Sequence, residues 1–333
     1  MSLKILIVGG GSIGNKHAQI CKDILPTAIV TICKVTASQV VKKNPAVDHY
    51  VFGVEDALDC KPDAVIIASP ATLHLNHVLH FSKLTPNILV EKPLCWGLEE
   101  LEHLTPTEIE FLAGLQVGYV LRFAPCLVEL ARLIGSQSFG SVMFANVWAG
   151  QHISAWRPGS VLENTVSVRK DLGGGVLAEL SHEIDYTRFL FGHQKDCTGD
   201  VRRLSSITKD VPDYASLLLR YDELSVNIQL DFLRHKASLG IEVICESGEI
   251  VCDFASLIGR CYDANSETWR DFETNGMVEE FNDLYRWQLD YFLTKSFSDY
   301  SPRYESCWTD VTPALGHDAM DVVALISQFS DRN

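Results

Sequence analysis

The sequence lacks the features that mark membrane proteins and nucleic-acid-binding proteins. Its 333 residues contain no apolar run of the roughly 18 residues that are needed to span a bilayer. It also has no long run of Lys and Arg, and its formal charge of −15 repels a phosphate backbone. The first apolar run, Ile5–Val8, is too short for the core of a signal peptide. We therefore expect a soluble, cytoplasmic protein with no membrane or nucleic-acid partner.

The 10 cysteines show no C-x-x-C spacing, and several lie inside apolar stretches such as Val243-Ile244-Cys245. This pattern favours buried, reduced thiols over zinc ligands or a disulfide framework. The motifs of three other enzyme classes give no support. Outside the glycine-rich turn Gly10–Gly14 no G-x-S-x-G occurs, and the sequence has no G-K-S/T after the glycines and no H-E-x-x-H, which argues against a serine hydrolase, a P-loop enzyme and metal catalysis. We expect no metal.

The first third of the chain alternates short apolar runs with segments of helical periodicity. Between the first two runs, Ile13, His17, Ile20 and Ile24 form one helical stripe. Runs that are apolar almost throughout are typical of parallel strands covered on both faces. We predict an α/β Rossmann domain with a doubly wound parallel sheet over residues 1–122. Its predicted strands are Ile5–Val8, Ala28–Lys34, Ala64–Ala68, Ile88–Glu91 and Leu115–Val120, and its predicted crossover helices include Leu73–Lys83 and Leu98–Leu104.

The pattern changes near residue 123, where longer strand-like runs begin. Residues 225–233 alternate apolar and polar side chains, as in an antiparallel sheet with one solvated face. We predict an α+β domain with a large, mainly antiparallel sheet over residues 123–333, whose last helix packs back on the first domain. Its predicted helices are 124–134, Gly173–Leu190, Met277–Thr294 and Asp310–Gln328.

A glycine-rich turn follows the first predicted strand and opens the first helix. Gly9, Gly11 and Gly14 occupy the three positions of G-x-G-x-x-G, and Ser12 and Ile13 lie between them. In this setting the first glycine permits the tight turn, the second lets the backbone approach a pyrophosphate, and the third allows close packing of helix on strand. The sequence therefore predicts a dinucleotide site.

The end of the second strand in such domains usually carries an acid that bonds the ribose hydroxyls. Here Cys33-Lys34 occupies that place and no acid is near. Because an ammonium attracts a 2′-phosphate that a carboxylate would repel, we favour NADP(H) over NAD(H). The alternative is that Lys34 is a solvated strand end with no role in the choice.

Three further motifs follow in order: Ser69-Pro70-x-x-x-His74, Glu91-Lys92-Pro93 and Gly173-Gly174-Gly175. Together with the glycine turn they resemble the Gfo/Idh/MocA family, the relatives of glucose–fructose oxidoreductase and inositol dehydrogenase. The resemblance covers most of the chain and weakens after about residue 255. It implies a nicotinamide-dependent dehydrogenase or reductase of CH–OH groups, with pyranose- or cyclitol-like substrates. Ser69, Pro70, His74 and Glu91 are then expected near the cofactor.

Lys92 follows a predicted parallel strand, and ligands of open α/β sheets bind beyond the carboxyl ends of the strands. An amine there can orient a reacting hydroxyl and take its proton as hydride leaves the carbon. In the family, G-G-G is followed by an Asp and, four residues later, a His that act with the lysine. In this chain His182 matches the histidine, but the acid is Glu179, only three residues earlier, so its equivalence is open. The alternative for His182 is a core-facing residue of a capped helix.

Residues that suit sugar recognition cluster around W-R-P and before G-G-G. An indole, guanidinium groups and an amide can stack on a sugar ring and hydrogen-bond its hydroxyls. The W-R-P, R-K and E-L-S-H motifs look like a bacterial subgroup of surface-sugar biosynthesis, which implies an amino sugar or sugar nucleotide. The expected substrate-binding residues are Tyr119, Arg122, Gln151, Trp156, Arg157 and Arg169.

Three alternatives for the function stay open at this point, and the number of subunits is open as well. The substrate could be a cyclitol. The chain could be a dinucleotide-binding sensor or regulatory protein that has lost chemistry, because the ribose acid is missing and the acid–histidine spacing is shortened. The enzyme could instead reduce an imine or enone. Finally, a homo-oligomer is expected from the predicted sheet face, as either a dimer or a tetramer.

Overall fold

A computed structural model describes residues 2–34, 44–156, 162, 165–272, 278 and 280–330. The chain forms two compact units. Unit 1 comprises Met1–Tyr119, Tyr285–Thr309 and Pro313–Val323, and unit 2 comprises Val120–Leu284, Asp310–Thr312 and Ala324–Asn333.

Unit 1 is built on a six-stranded sheet with the order β3-β2-β1-β4-β5-β6, in which every neighbouring pair is parallel. The central strands are almost fully buried, which explains their continuous apolar sequence. The predicted doubly wound parallel sheet is confirmed. The strands are β1 (Lys4–Val8), β2 (Ile29–Lys34), β3 (His49–Phe52), β4 (Ala64–Ile67), β5 (Ile88–Val90) and β6 (Gln116–Val117).

Helices connect these strands and cover the sheet. The buried side chains of the first helix include His17, Ile20 and Ile24 of the predicted stripe. Ile20 and Ile24 belong to one core cluster with Ile5, Ile7 and Val30 of the sheet and with Leu289, Phe292 and Leu293 of a late helix, and Ile13 packs against this cluster. The helices of unit 1 are α1 (Ser12–Ile24), α2 (Val54–Leu58), α3 (His74–Phe81), α4 (Pro106–Ala113), α8 (Asn282–Ser296) and α9 (Glu305–Trp308), with short 3-10 turns at Ala71–Leu73 and Leu98–Glu100. The first three residues of α8, before Tyr285, belong to unit 2.

Unit 2 contains an eight-stranded sheet with the order β14-β13-β12-β11-β7-β10-β9-β8. All of its neighbouring pairs are antiparallel except β10 with β7, so the mainly antiparallel sheet is confirmed. In residues 225–231 Val226, Ile228 and Leu230 are buried while Asn227 and Gln229 are exposed, as predicted. The strands are β7 (Val142–Gly150), β8 (Asp196–Arg202), β9 (Tyr214–Arg220), β10 (Ser225–Asp231), β11 (Ser238–Cys245), β12 (Gly248–Asp253), β13 (Ile258–Asp263) and β14 (Thr268–Asp271).

The helices of unit 2 lie mostly before β8. They are α5 (Pro125–Gly135), α6 (Val176–Glu179) and α7 (His182–Phe191), with 3-10 turns at Val120–Phe123, Ile153–Ala155, Val166–Val168 and Lys170–Leu172. The last helix is α10 (Gly316–Ser330), of which residues 316–323 belong to unit 1 and the rest to unit 2.

Two helix predictions are wrong. The predicted helix Leu98–Leu104 is only a 3-10 turn at Leu98–Glu100, and the regular helix α4 starts later. The predicted single helix Gly173–Leu190 is two helices, because the chain leaves helical conformation at Leu180, which has φ −103° and ψ 42°. None of the helices in the described residues is both long and apolar enough for a membrane span.

Candidate functional site

The glycine turn lies between β1 and α1, at the carboxyl end of a central parallel strand. Gly9 has φ 118°, and a Cβ on it would lie 2.3 Å from the carbonyl oxygen of Ala68. A Cβ on Gly14 would lie 2.0 Å from the carbonyl oxygen of Gly9, whereas one on Gly11 would meet nothing within 4 Å. The first and third glycines are thus required by close packing inside unit 1, and the second faces open space, as a turn that accepts a pyrophosphate requires.

Helix α1 adds to this anion site. It begins at Ser12 after the N-cap residue Gly11, and no acidic side chain lies in its first turn. Its partial positive end therefore meets no competing carboxylate of its own first turn. Ser12 is exposed and Ile13 is half-buried. The residues present fit the pyrophosphate of a dinucleotide.

Lys34 ends β2 and is only 8% exposed. Its aliphatic stem packs against the glycine turn, since a Cβ on Gly10 would lie 2.9 Å from Lys34 Cε. The Lys34 Nζ atom lies 5.8 Å from the centroid of the Tyr50 ring. The side chain is therefore not a solvated strand end, and it lies where the second strand of such a domain meets the adenosine ribose.

The Ser69-Pro70 turn after β4 is held by two histidines of α3. His74 is 1% exposed, and its Nε2 lies 2.8 Å from the Ser69 carbonyl oxygen. The Ser69 hydroxyl lies 2.9 Å from His77 Nδ1. Burial lowers the pKa of His77 to about 4, with smaller contributions from His74 and His80, so this ring is neutral at neutral pH.

The turn after β5 carries Lys92, which is half-buried and precedes a cis peptide bond to Pro93. Glu91 is 7% exposed and turns inward, with Oε1 lying 2.7 Å from Nε2 of the fully buried His17. The Pro93 carbonyl oxygen lies 2.6 Å from His74 Nδ1. The residues on both sides of Lys92 are thus fixed by buried histidines. Glu91 was predicted near the cofactor, and one of its carboxylate oxygens is occupied by His17.

Two of the predicted site residues lie in unit 2 next to a helix break. Glu179 is the last residue of α6 and His182 is the first residue of α7. Because the chain leaves helical conformation at Leu180, Glu179 and His182 do not lie on one continuous helix. Tyr186 is fully buried and donates a hydrogen bond to the Gly240 carbonyl over 3.3 Å.

The glycines before this segment permit a close backbone approach. Gly173 and Gly175 have φ of 83° and 119°, and a Cβ on Gly174 would lie 2.3 Å from the carbonyl oxygen of Val166. These positions require glycine for conformation or for space. The G-G-G motif therefore shapes the entry into α6.

Arg122 lies in the interior of unit 2 at 3% exposure. Its Nε and Nη2 atoms donate to Asp185 over 2.7 Å and 2.8 Å, and the guanidinium lies 4.1 Å from the centroid of the Phe189 ring. Such a bidentate, buried pair anchors the segment before α5 to α7. This geometry gives Arg122 a role inside unit 2, which differs from the predicted contact with substrate.

The remaining predicted substrate residues are spread over unit 1 and unit 2. Tyr119 is fully buried at the end of the first segment of unit 1. The Trp156 ring lies edge-on to Phe232 at 5.2 Å, and its indole N–H has no hydrogen-bond partner among the described residues. Gln151 is half-buried just after β7, and Arg169 pairs with the exposed Asp171. Arg157 lies outside the described residues.

Within the described parts of the chain, the thiols and metal-ligating side chains show no further site. All ten cysteines are free, and burial raises the pKa of Cys33 to about 11 and that of Cys21 to about 12, so these thiols are inert at neutral pH. The described residues contain no group of three His, Cys, Asp or Glu side chains that could hold a metal ion.

Two sequence profiles match the chain. The oxidoreductase profile with an NAD-binding Rossmann fold matches residues 3–119, and the C-terminal domain profile of the same family matches residues 127–251. The chain belongs to the Gfo/Idh/MocA family. The resemblance inferred from the motifs is thereby confirmed, together with an NAD-binding fold; a preference for NADP(H) is not decided by this match.

Individual Gfo/Idh/MocA proteins are only distantly similar. The inositol 2-dehydrogenase of Mycolicibacterium smegmatis is 26% identical over 197 residues, which are 58% of this chain and 54% of that protein. The chain thus aligns with about half the length of this relative. A levoglucosan dehydrogenase in complex with NADH and levoglucosan has a TM-score of 0.74 at 17% identity, with 98% of both chains covered. The UDP-N-acetylglucosamine 3-dehydrogenase of Acidithiobacillus ferrooxidans has a TM-score of 0.72 at 17% identity, covering 98% of this chain and 96% of that one. At these identities the structures show a shared fold.

Some functional neighbours of this Gfo/Idh/MocA site were missed from the sequence. His17 was read as one member of an apolar helical stripe, although a fully buried imidazole requires a polar partner. The local sequence around His77 and Asp185 does not indicate their hydrogen-bond partners. These partners, Ser69 and Arg122, lie 8 and 63 residues away along the chain. His77 lies eight residues after Ser69, and its contact with the Ser69 hydroxyl becomes clear only when the position of α3 is known.

Proposed function

We propose that this protein is an NAD(P)-dependent oxidoreductase that transfers hydride between C4 of nicotinamide and a ring carbinol carbon of a sugar, amino sugar or sugar nucleotide. The observation that carries the proposal is that two turns with predicted functional residues lie at the same edge of the parallel sheet. The glycine turn follows β1 and the Lys92 turn follows β5. Carboxyl ends of parallel strands form the ligand-binding edge of such sheets.

The reaction divides into a hydride and a proton. When bound, the nicotinamide accepts the hydride in oxidation or supplies it in reduction. Lys92 takes the hydroxyl proton as the C–H bond breaks and the carbonyl forms, and it returns that proton in the reverse direction. His182 is the proposed partner in this proton transfer. Glu179 is the proposed acid, and it lies on the other side of the break between α6 and α7 from His182.

The cofactor contacts are proposed at one edge of unit 1. Gly9, Gly11, Gly14, Ser12 and Ile13 hold the pyrophosphate. Ser69, Pro70, His74 and Glu91 line or support the same edge. Lys34 favours NADP(H) over NAD(H), because its buried stem holds an ammonium close to the glycine turn, where a 2′-phosphate gains from a positive charge.

Substrate recognition is proposed for Tyr119, Gln151, Trp156, Arg157 and Arg169. The indole N–H of Trp156 is a donor that suits a sugar hydroxyl. Relatives named for inositol, levoglucosan and UDP-N-acetylglucosamine support a polyhydroxylated ring as the substrate class. Arg122 is proposed to act inside unit 2, where it pairs with Asp185, instead of contacting the ring.

The test is Lys92→Met, assayed with a panel of sugars, amino sugars, sugar nucleotides and cyclitols against both cofactors. We expect turnover to fall at least about 100-fold, because a general acid–base group contributes that much. The dissociation constant for NADPH, measured by fluorescence, should stay within about threefold, because binding energy resides in the glycine turn. Full activity of Lys92→Met on the wild-type's substrate would defeat the mechanism. If a cyclitol is the best substrate on the panel, the cyclitol alternative replaces the sugar proposal.

A second candidate is a dinucleotide-binding sensor without chemistry. It is favoured by the helix break between Glu179 and His182, together with their shortened spacing. A sensor binds NADPH but produces no change of nicotinamide absorbance with any member of the panel. Turnover of one substrate excludes it. A product that carries a reduced imine or enone would support the reductase alternative.

We also propose a dinucleotide-binding domain at residues 1–122, a substrate-binding and oligomerisation domain at residues 123–333, a cytoplasmic location and a homodimer or homotetramer. The assembly proposal is supported by apolar side chains on the outward face of the sheet of unit 2: Phe144, Ile258 and Trp269 are exposed there. Sedimentation of the purified protein measures the number of subunits.

A further inference from the structure

Lys92 lies between two residues whose positions are fixed by buried contacts in unit 1. Glu91 is 7% exposed, and its backbone N–H donates to the Ile67 carbonyl over 2.9 Å. The other neighbour, Pro93, is buried. Any displacement of either neighbour moves the Lys92 backbone, because the three residues form one short turn after β5.

The contact on the Glu91 side comes from α1. His17 Nε2 lies 2.7 Å from Glu91 Oε1, and both side chains are at most 9% exposed. The second carboxylate oxygen packs against Gly118, where a Cβ would lie only 2.8 Å away. Because the carboxylate can only accept, His17 Nε2 carries the proton of this hydrogen bond. Helix α1 is also the helix that opens at the glycine turn.

The contact on the Pro93 side comes from α3. His74 Nδ1 lies 2.6 Å from the Pro93 carbonyl oxygen, and Nε2 lies 2.8 Å from the Ser69 carbonyl oxygen. One ring therefore bridges the turn of Lys92 and the turn of Ser69. Both carbonyl oxygens can only accept hydrogen bonds. The His74 ring therefore donates to both turns when both of its nitrogens carry a proton, and to one turn when only one nitrogen does. Burial lowers the pKa of His74, while the two carbonyls and Glu91 act against that effect and Lys92 adds to it.

We propose that His17 and His74 are positioning residues for Lys92, with His17 fixing the residue before the lysine and His74 the residue after it. His74 also couples this turn to the Ser69 turn of the cofactor edge. The inference rests on the proposed function for the role of Lys92, but the contacts themselves lie within unit 1. A misplacement of about 1 Å at a reacting group costs about 100-fold in rate.

Two replacements of His74 separate its two bonds. The amide nitrogen of Asn occupies the place of Nδ1 and that of Gln the place of Nε2. His74→Asn keeps the donor to Pro93, so we expect kcat within about threefold and weaker NADPH binding. His74→Gln keeps the donor to Ser69, so we expect NADPH binding close to wild type and kcat lowered about 10- to 100-fold. A general loss of stability would lower both quantities alike in both variants.

The His17 side is tested by rescue. His17→Leu removes the donor to Glu91 and should lower kcat about 10- to 100-fold, whereas His17→Gln restores a donor at Nε2 and most of the rate. The exposed His103 of the same unit provides the control, and His103→Gln should leave kcat and NADPH binding unchanged. If the His74 variants do not fold, the His17 pair decides alone.

A measurement that needs no turnover separates this proposal from the proposed function. The rate at which an amine-acylating reagent modifies Lys92 at one fixed pH, followed by mass spectrometry, reports the surroundings of the amine. We expect this rate to change in His17→Leu and His74→Gln, and to stay the same in His17→Gln and His74→Asn. Such a result supports positioning even if Lys92→Met proves fully active. Equal Lys92 modification rates in all four variants and the wild type would overturn the inference.

Discussion

Unit 1 and unit 2 hold their functional residues in different ways. In unit 1 the predicted residues follow the ends of neighbouring parallel strands, and short hydrogen bonds from α1 and α3 tie these turns together. In unit 2 they lie on irregular segments: a 3-10 turn, a glycine-rich entry and a break between two helices. The regular sheet of unit 1 therefore fixes its site by topology, whereas unit 2 depends on individual buried pairs, above all Arg122 with Asp185.

The buried pair of Arg122 and Asp185 tests this difference between the units most directly. Asp185→Ala leaves a buried guanidinium without its carboxylate, and we expect the free energy of unfolding to fall by about 3–5 kcal/mol. Asp171→Ala is the matched control, since Asp171 pairs with Arg169 at the surface, and no measurable change is expected there. Chemical denaturation of both variants measures the difference. Equal stabilities would mean that Arg122 is not a structural anchor, and the predicted substrate contact of Arg122 would then regain its place.

The next largest effect concerns the glycine turn. Gly14→Ala places a methyl group where only 2.0 Å separates it from the Gly9 carbonyl oxygen, so we expect a loss of about 3 kcal/mol in unfolding free energy. Gly11→Ala meets open space and has an ordinary φ of −77°, so stability should be unchanged while NADPH binding weakens. Denaturation and fluorescence titration read the two quantities separately. Should Gly11→Ala bind NADPH as well as the wild type, the pyrophosphate does not approach this turn.

The difference between the units also explains what the sequence could predict. Apolar runs predict strands β1, β2, β4 and β5. Because the carboxyl ends of parallel strands lie at one edge of the sheet, Gly9, Ser69 and Lys92 were expected at the same edge. The inward turn of Glu91 was not predictable, because it depends on His17, which lies 74 residues away along the chain.

Local signals explain the two wrong helices differently. Helix α4 was missed although Thr105 and Glu108 form a capping box that the sequence displays as T-P-x-E. The break at Leu180 has no such signal. Its neighbour Ser181 is fully buried, so the interruption is set by packing inside unit 2 and not by the local sequence.

A smaller effect is expected from pH. His77 has a pKa of about 4 in the fold against an ordinary 6.5, because burial disfavours its charged form. Below pH 6.5 the unfolded chain takes up this proton and the folded one does not, so stability is complete above 6.5 and falls as pH drops towards 4. We expect about 1–2 kcal/mol over this window.

The matched variant for this pH effect is His77→Asn, which keeps an amide at the place of Nδ1 beside Ser69 and cannot take up the proton. Denaturation midpoints of this variant should fall less between pH 6.5 and 4 than those of the wild type. Part of the fall should remain, because burial also lowers the pKa of His74. Parallel curves for the two proteins would contradict the assignment to His77.

The smallest effect concerns the choice between NADPH and NADH, which we assign to the strand-end edge of the sheet in unit 1. Lys34 holds its ammonium near the glycine turn through a buried stem, at a strand end where an acid would select NAD(H). Lys34→Ala should therefore lower the preference for NADPH over NADH about tenfold, measured as the ratio of dissociation constants. Lys83→Ala, an exposed lysine of the same unit, should leave the ratio unchanged. Since a charge-assisted contact to a 2′-phosphate acts on one cofactor only, the Kd for NADH should not weaken in Lys34→Ala. A ratio of dissociation constants that is the same in Lys34→Ala and in the wild type would show that Lys34 has no part in the choice of cofactor.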